Sequence, residues 1–233
     1  MTTVSGATVL VTGGQRGLGR AFVQELLEAG AAKVYATART PIADPDPRVV
    51  PVPLEVTDAE SIAELARIAD DVSIVFNNAG IGSLGPLVTA DLDTVKELFE
   101  ANVFGALRIA QAFAPILAAQ GGGALIDIHS VLSWAAGSGA YGATKAAFWS
   151  LTNSLRLELA PQGTQVVGVH LGYTDTDMIR ALDVPKGDPR AVAREVLTAL
   201  EKGESEVLAD DTSRFFKSVL SGPVEGLSLP SAA

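Results

Sequence analysis

Residues 7–29 read ATVLVTGGQRGLGRAFVQELLEA, and their order decides the fold. The run ATVLVTG (7–13) is short, apolar and rich in β-branched residues, the pattern of a fully buried strand. Gly13, Gly17 and Gly19 follow, and from about Gly17 to Ala29 apolar residues return at helical spacing. A strand passing through a glycine loop into a helix is the first part of a βα unit. Glycines let the backbone approach a pyrophosphate, and a helix N-terminus favours its charge. The spacing is G-x-x-x-G-x-G, with Phe22 where G-x-G-x-x-G would place its third glycine. Taken alone, the loop reads either as a phosphate cradle or as a tight turn without a ligand.

The alternation continues along the chain. KVYATA (33–38) is a second strand and RVVPVPL (48–54) a weaker third, bounded by prolines. Thr57 or Asp58 caps a helix ending near Ala69. VSIVFNN (72–78) is a fourth strand. Asp91 or Asp93 opens a long helix to about Ala119, with a bend expected at Pro115. ALIDIHS (124–130) is a fifth strand, followed by a helix over 141–160 with Leu151, Leu155 and Leu159 on one face. QVVGVHL (165–171) is a sixth strand, and Asp188-Pro189 forms an N-cap and N1 pair for a helix to about Lys202. EVLAD (206–210) and a helix over roughly 211–220 close the pattern. Continuous Val/Ile-rich strands between helices predict an α/β fold, a doubly wound parallel sheet with helices on both faces. We read one domain over residues 1–221 and a flexible tail over 222–233, where Gly, Pro and Ser concentrate.

Composition narrows the function. The chain has 233 residues, 48% of them hydrophobic, and a net charge of −10. Such acidity repels phosphate backbones and anionic membranes, so neither nucleic acid nor membrane is an expected partner. The absence of cysteine excludes disulfides, thiol catalysis and cysteine-based metal sites. The N-terminus lacks the basic and apolar regions of a signal peptide, and no apolar run suggests a membrane span. A cytoplasmic location is the expectation. His129 and His170 are the only histidines. Two make no metal site without a third ligand, so structural roles are expected of them.

Open α/β sheets bind ligands beyond the carboxyl ends of their strands. Arg16 lies in the glycine loop, and Arg39 follows the second strand, where NAD binders place an acidic residue on the ribose. Two guanidinium groups there suit a 2′-phosphate, although two solvated surface arginines would give the same pattern. Asn77-Asn78-Ala79-Gly80 follows the fourth strand as a compact turn. Tyr141 and Lys145 are four apart on a helix and share a face. Seen alone, such a pair is usually a solvated surface.

Together these motifs resemble the short-chain dehydrogenase/reductase family. The resemblance rests on Thr12-Gly13-x-x-x-Gly17-x-Gly19, Asn77-Asn78-Ala79-Gly80, Asn102, Ser130 and Tyr141-x-x-x-Lys145, in the family's order and near its spacing over residues 5–200. It implies a Rossmann-type fold and hydride transfer involving a nicotinamide, with Arg16 and Arg39 matching NADP(H)-preferring members. It implies a cofactor site made by Gly13, Gln15, Arg16, Gly17, Leu18, Gly19, Arg39, Glu55, Val56, Asn78, Ala79, Gly80, Tyr141, Lys145, Gly172, Thr174 and Thr176. Tyr141 would donate a proton to a carbonyl, or take one from an alcohol. Ser130 would hydrogen-bond the same oxygen. Lys145 would hold the ribose and lower the tyrosine pKa together with a positive nicotinamide. Asn102 would order a water relaying protons to Lys145.

Three departures from the family are visible. Ser130 precedes Tyr141 by eleven residues, where thirteen are more common. Glu55 stands where Asp is usual beside the adenine. Leu171-Gly172 replaces Pro-Gly. Leu84, Leu132, Trp134, Tyr173 and Met178 are the expected substrate contacts, suiting an apolar ketone or aldehyde, or the matching alcohol. The short segment 178–188 predicts a modest lid and a permissive site. The expected activity is NADPH-dependent carbonyl reduction by a homodimer or homotetramer. The alternatives are a non-catalytic NADP(H)-binding regulatory protein, or a reductase of imines or C=C bonds.

Overall fold

The computed structural model describes residues 2–83 and 85–228. Seven parallel strands form one sheet: β1 (Thr8–Val11), β2 (Lys33–Ala38), β3 (Val49–Pro53), β4 (Ile74–Asn77), β5 (Ala124–Ile128), β6 (Gln165–His170) and β7 (Glu206–Leu208). Their spatial order is β3-β2-β1-β4-β5-β6-β7, so the winding reverses between β1 and β4. The loops after these two strands diverge at that point and open a crevice at the carboxyl edge.

Alternation within the strands assigns the two faces. Val9 and Val11 join Ile74, Phe76 and Ile126 in a core covered by α1 (Gly17–Glu28) and α6 (Pro189–Glu201). Leu10, Val75 and Leu125 point the other way, into a core covered by α2 (Ala59–Ile68), α4 (Ala106–Ala119) and α5 (Gly139–Leu159). Phe22, standing in the place of a third glycine, is fully buried with its ring 4.7 Å from that of Phe76. A third cluster joins Val131, Trp134 and Ala135 to Phe216 of α7 (Asp211–Val219).

Caps set the helix boundaries as the sequence suggested. Asp58, Asp91 and Asp188 each accept from a backbone N–H in the first turn of the helix they precede. The third strand survives its prolines because it is the sheet edge. Pro51 and Pro53 alternate with Val50, Val52 and Leu54, and Leu54 N donates inward to Ala38 O. The helix expected to run to about Ala119 is not one continuous α-helix. The long helix is interrupted earlier, where α3 (Leu92–Phe99) passes through a π-helical turn at Glu100–Gly105 before α4, and Pro115 lies inside α4. Residues 92–119 are long and apolar enough to cross a membrane by length and composition alone. In the fold they are a core element, burying Ile109, Phe113 and Leu117. The tail is folded as far as Ser228: residues 224–227 make a 3-10 turn, and Ala136 N donates to Leu227 O at 2.7 Å.

Candidate active site

Thr12 joins the two loops at the point where the winding reverses. Its hydroxyl donates to Phe76 O and accepts from the backbone N–H groups of Asn78 and Ala79, both at 2.9 Å. Asn78 Nδ2 returns a bond to Thr12 O at 2.8 Å. Gly13 and Gly17 take positive φ, and a Cβ on Gly19 would stand 2.1 Å from Gly13 O. No side chain fits there, so the start of α1 packs directly on the backbone of the glycine loop. Thr176 lies over the same loop, 3.4 Å from where a Gly17 Cβ would be.

Gln15 ties the glycine loop to the segment after β2. Its Nε2 donates to Ile42 O at 2.7 Å, and its Oε1 accepts from Ile42 N at 2.9 Å. Arg16 and Arg39 are exposed on the two segments that this tie connects, and neither makes an ion pair among the described residues. Leu18 is partly buried against the core beneath the loop. Glu55 Oε1 accepts from Thr57 N at 3.2 Å and Thr57 Oγ1 at 3.0 Å. One carboxylate oxygen is thus held on its own turn. Val56 packs on Gly105, where a Cβ would meet it at 3.0 Å.

Asn102 sits in the π-helical turn, an interruption frequent at functional sites. Its Oδ1 accepts from Ile81 N at 2.8 Å. Its Nδ2 donates to Ile81 O at 2.9 Å and to Thr144 Oγ1 at 3.1 Å. Both amide hydrogens are therefore spent on protein groups. Gly80 is held against it, since a Cβ there would lie 3.0 Å from Oδ1.

Helix α5 starts at Gly139, two residues earlier than expected, and places Tyr141 in its first turn with Lys145 one turn on. Lys145 is buried, donates to Ile128 O at 2.9 Å and lies 5.7 Å from the Tyr141 ring centroid. Burial holds its ammonium down to about 8, against partial support from Asp127. Burial also pushes Tyr141 up to about 12. Desolvation of the phenolate is the cause of that direction.

Ser130 is buried at the end of β5 and caps a 3-10 turn over Val131–Ser133. Its Oγ accepts from Leu132 N at 3.1 Å and reaches Leu171 O at 3.5 Å, the latter at the limit of a hydrogen bond. Ser133 and Ser138 are committed elsewhere, to Lys145 O at 3.2 Å and Ala135 O at 3.0 Å. The short loop closes because Gly139 has φ +61°, with the position of its Cβ only 2.4 Å from Gly85 O. A cleft of about 310 Å³ lies beside it, between Gly85–Leu87 and Ala135–Gly139.

Tyr173 and Met178 are exposed, and a Gly82 Cβ would stand 3.1 Å from Met178 Sδ. The segment carrying them is pinned at its base by Gly187 N to Tyr173 O (2.8 Å) and Asp175 N to Gly187 O (2.9 Å). Gly172 N donates to Asp210, and the hydroxyl of the buried Thr174 reaches Gly172 O. Leu132 is partly buried on the third cluster. Trp134 is a correction: it is 6% exposed, stacked on His170 at 3.8 Å, and does not line the cleft. Leu84 lies outside the described residues.

Sequence reasoning missed a polar group under this site. Asp127, Thr152, His129 and His170 are all buried and form one hydrogen-bonded run. The visible signal was two histidines ending strands that prove to be neighbours.

This sheet, glycine loop and Tyr–Lys helix define a nicotinamide-type oxidoreductase fold. The short chain dehydrogenase model matches residues 7–186, and the chain belongs to that family. A short-chain dehydrogenase of Talaromyces islandicus is 36% identical over 72% of this chain and 63% of that protein. A sorbitol dehydrogenase of Cereibacter sphaeroides is 34% identical over 79% of this chain and 77% of its own. Among solved structures, a short chain dehydrogenase from Burkholderia cenocepacia in complex with NADP superposes with TM-score 0.92 at 36% identity, covering 97% of both chains.

Proposed function

We propose that this chain binds NADP(H) and reduces ketones or aldehydes to alcohols, reversibly, with Tyr141 as the proton donor. The observation that carries the reading is the pairing of Tyr141 with the buried Lys145, whose ammonium donates to Ile128 O at the carboxyl end of β5, two residues before Ser130. A phenol held at about 12 is protonated at neutral pH, the state a carbonyl oxygen needs when hydride arrives. The bound dinucleotide supplies that hydride. The helix N-terminus at Gly17–Gly19 suits its pyrophosphate, and Arg16 and Arg39 suit a 2′-phosphate. NADP in the Burkholderia cenocepacia relative supports this choice.

Exposed Tyr173 and Met178 and the short pinned segment between them and Gly187 favour a permissive apolar site. Copies of the chain pair through the long helices, where Phe104 and Leu157 are exposed. A monomer in light scattering at micromolar concentration would overturn that pairing. The second reading is a cofactor-binding protein without turnover. One observation favours it: Ser130 Oγ is bonded to backbone, not to Tyr141.

The experiment follows NADPH consumption against ketones, aldehydes, imines and activated alkenes, beside cofactor titration. Turnover of varied ketones supports the reductase. Turnover confined to imines or alkenes replaces it, and binding without turnover supports the second reading.

A further inference from the structure

Four buried side chains run in series under Ser130. Thr152 Oγ1 lies 2.7 Å from Asp127 Oδ2 and 2.8 Å from His129 Nε2. His129 Nδ1 faces His170 Nε2 at 3.3 Å, and His170 Nδ1 faces the carbonyl oxygen of Ser130 at 3.3 Å. Each of the four contacts within the run needs one hydrogen, and Phe148 O, 3.0 Å from Thr152 Oγ1 one turn back in α5, competes for the hydroxyl hydrogen and supplies none. The threonine hydroxyl and two neutral imidazoles bring three. If Asp127 is ionised, the hydrogens must all point toward it: Thr152 donates to Asp127, His129 Nε2 to Thr152, and His170 Nε2 to His129. The lone pair of His170 Nδ1 then faces the lone pairs of Ser130 O. One more proton on Asp127 removes the conflict. Asp127 donates to Thr152, Thr152 to His129 Nε2, His129 Nδ1 to His170 Nε2, and His170 Nδ1 to Ser130 O.

We infer that Asp127, Thr152, His129 and His170 share one dissociable proton, resident on Asp127, and that it lets His170 position Ser130 through its main-chain carbonyl. The surroundings agree. Asn77 Nδ2 satisfies the other carboxyl oxygen at 3.2 Å. Lys145 and Arg156 of α5 face the group from above, each bonded to backbone carbonyls. Lys217 of α7 pairs with Glu206 of β7 at 2.7 Å, and Glu206 lies 3.9 Å from His170 Nε2. Trp134 and Phe148 cover the rings. Burial, with these cations, holds His129 well below its ordinary value and His170 down to about 3, so both rings are neutral. Burial pushes Asp127 up to about 6, and the shortage of hydrogens acts in the same direction. When the proton leaves, the three remaining hydrogens reverse and both rings change tautomer together.

The test uses the full chain with 15N-labelled histidine, whose two residues give two readable rings. Long-range 15N–1H correlation spectra are recorded from pH 5 to 9. The expected result is two neutral Nδ1–H tautomers at low pH that convert together to Nε2–H as pH rises. In Asp127→Asn, whose amide donates permanently to Thr152, both rings stay Nδ1–H throughout. Nε2–H rings at every pH, or a doubly protonated ring at pH 6 to 7, would overturn the inference. Should Asp127→Asn not fold, Thr152→Val serves: the link is cut, and the rings no longer follow Asp127. Failure of the rings to uncouple in that variant also overturns the inference.

The kinetic consequence rests on the reading of Ser130 as catalytic. In wild type, kcat for carbonyl reduction falls about tenfold as the tautomers convert, the scale of one lost hydrogen bond, with cofactor KM unchanged. In Asp127→Asn that step in the pH profile is absent, and its persistence there would overturn the positioning role. If the tautomers behave as expected but Ser130→Ala retains full kcat, the network stands and the role given to Ser130 fails.

Discussion

The side chain of Asn102 holds Ile81 by both backbone groups, accepting from its N–H at 2.8 Å and donating to its carbonyl at 2.9 Å. It thereby does for an irregular loop what a neighbouring strand would do, and it fastens the Asn78–Gly80 turn to the π-helical segment. Asn102→Ala leaves both Ile81 groups unmatched. The expected cost is about 1–3 kcal/mol, read as a lower urea midpoint, with a raised KM for NADPH. An unchanged midpoint would show that water replaces the amide without loss.

Tyr141→Phe removes the phenolic proton and little else. Turnover of the best ketone should fall by about 10²–10⁴-fold, the usual range for a positioned acid. Cofactor affinity, followed by fluorescence titration, should stay close to wild type. A mutant that retains turnover would assign the proton to another group.

Arg16→Ala and Arg39→Ala should each raise the KM for NADPH by roughly tenfold, the scale of one charge-assisted hydrogen bond. NADH kinetics should not move. Equal losses with both cofactors would remove the arginines from the 2′-phosphate.

Gly139→Ala places a methyl against the Gly85 carbonyl in a left-handed backbone conformation. A destabilisation of about 1–3 kcal/mol is expected, because neither neighbour is a flexible side chain. Thermal unfolding reads the loss. A shift in preference between small and bulky ketones would report that the cleft between these loops has changed width.

Stability should decline as pH falls below 6.5. His129 and His170 are buried with lowered pKa values, so between the ordinary value of 6.5 and the folded value, about 3 for His170, the unfolded chain binds more protons. Their contribution is present above 6.5 and is lost as acid charges them. Asp127 acts oppositely: raised to about 6 from 3.8, it binds its proton more tightly when folded, which favours the fold as pH falls through that window. Two imidazoles outweigh one carboxyl. Urea midpoints at pH 7, 5 and 4 should therefore decrease in that order, and a midpoint that rises toward pH 5 would place the carboxyl in control.

The fold was legible because its strands are continuous apolar runs, its helices carry aspartate caps, and the glycine loop lies between the first pair. Asp188, and one residue of each pair Thr57/Asp58 and Asp91/Asp93, could be read as caps from local sequence, since capping is a short-range interaction. The long-range relations could not be read this way. Pro115 looked like the place for a bend, yet the interruption falls at Glu100–Gly105, where Asn102 reaches out of the helix to Ile81. Trp134 looked like a substrate contact until His170, a residue of the adjacent strand, gave its ring a stacking partner. The run from Asp127 to His170 depends on β5 and β6 being neighbours, a fact of topology that neither strand states alone.

The two prolines of β3 have a consequence for how the protein behaves in company. At Pro51 and Pro53 the outer margin of the sheet offers no amide hydrogen, so an incoming extended segment finds carbonyls without the alternating donors it needs to zip on. The opposite margin, β7, is only three residues long. Crowded copies of this chain therefore have little opportunity to grow a shared sheet, and fibril-like growth from the native state is blocked at both ends while the helical flanks stay free to associate.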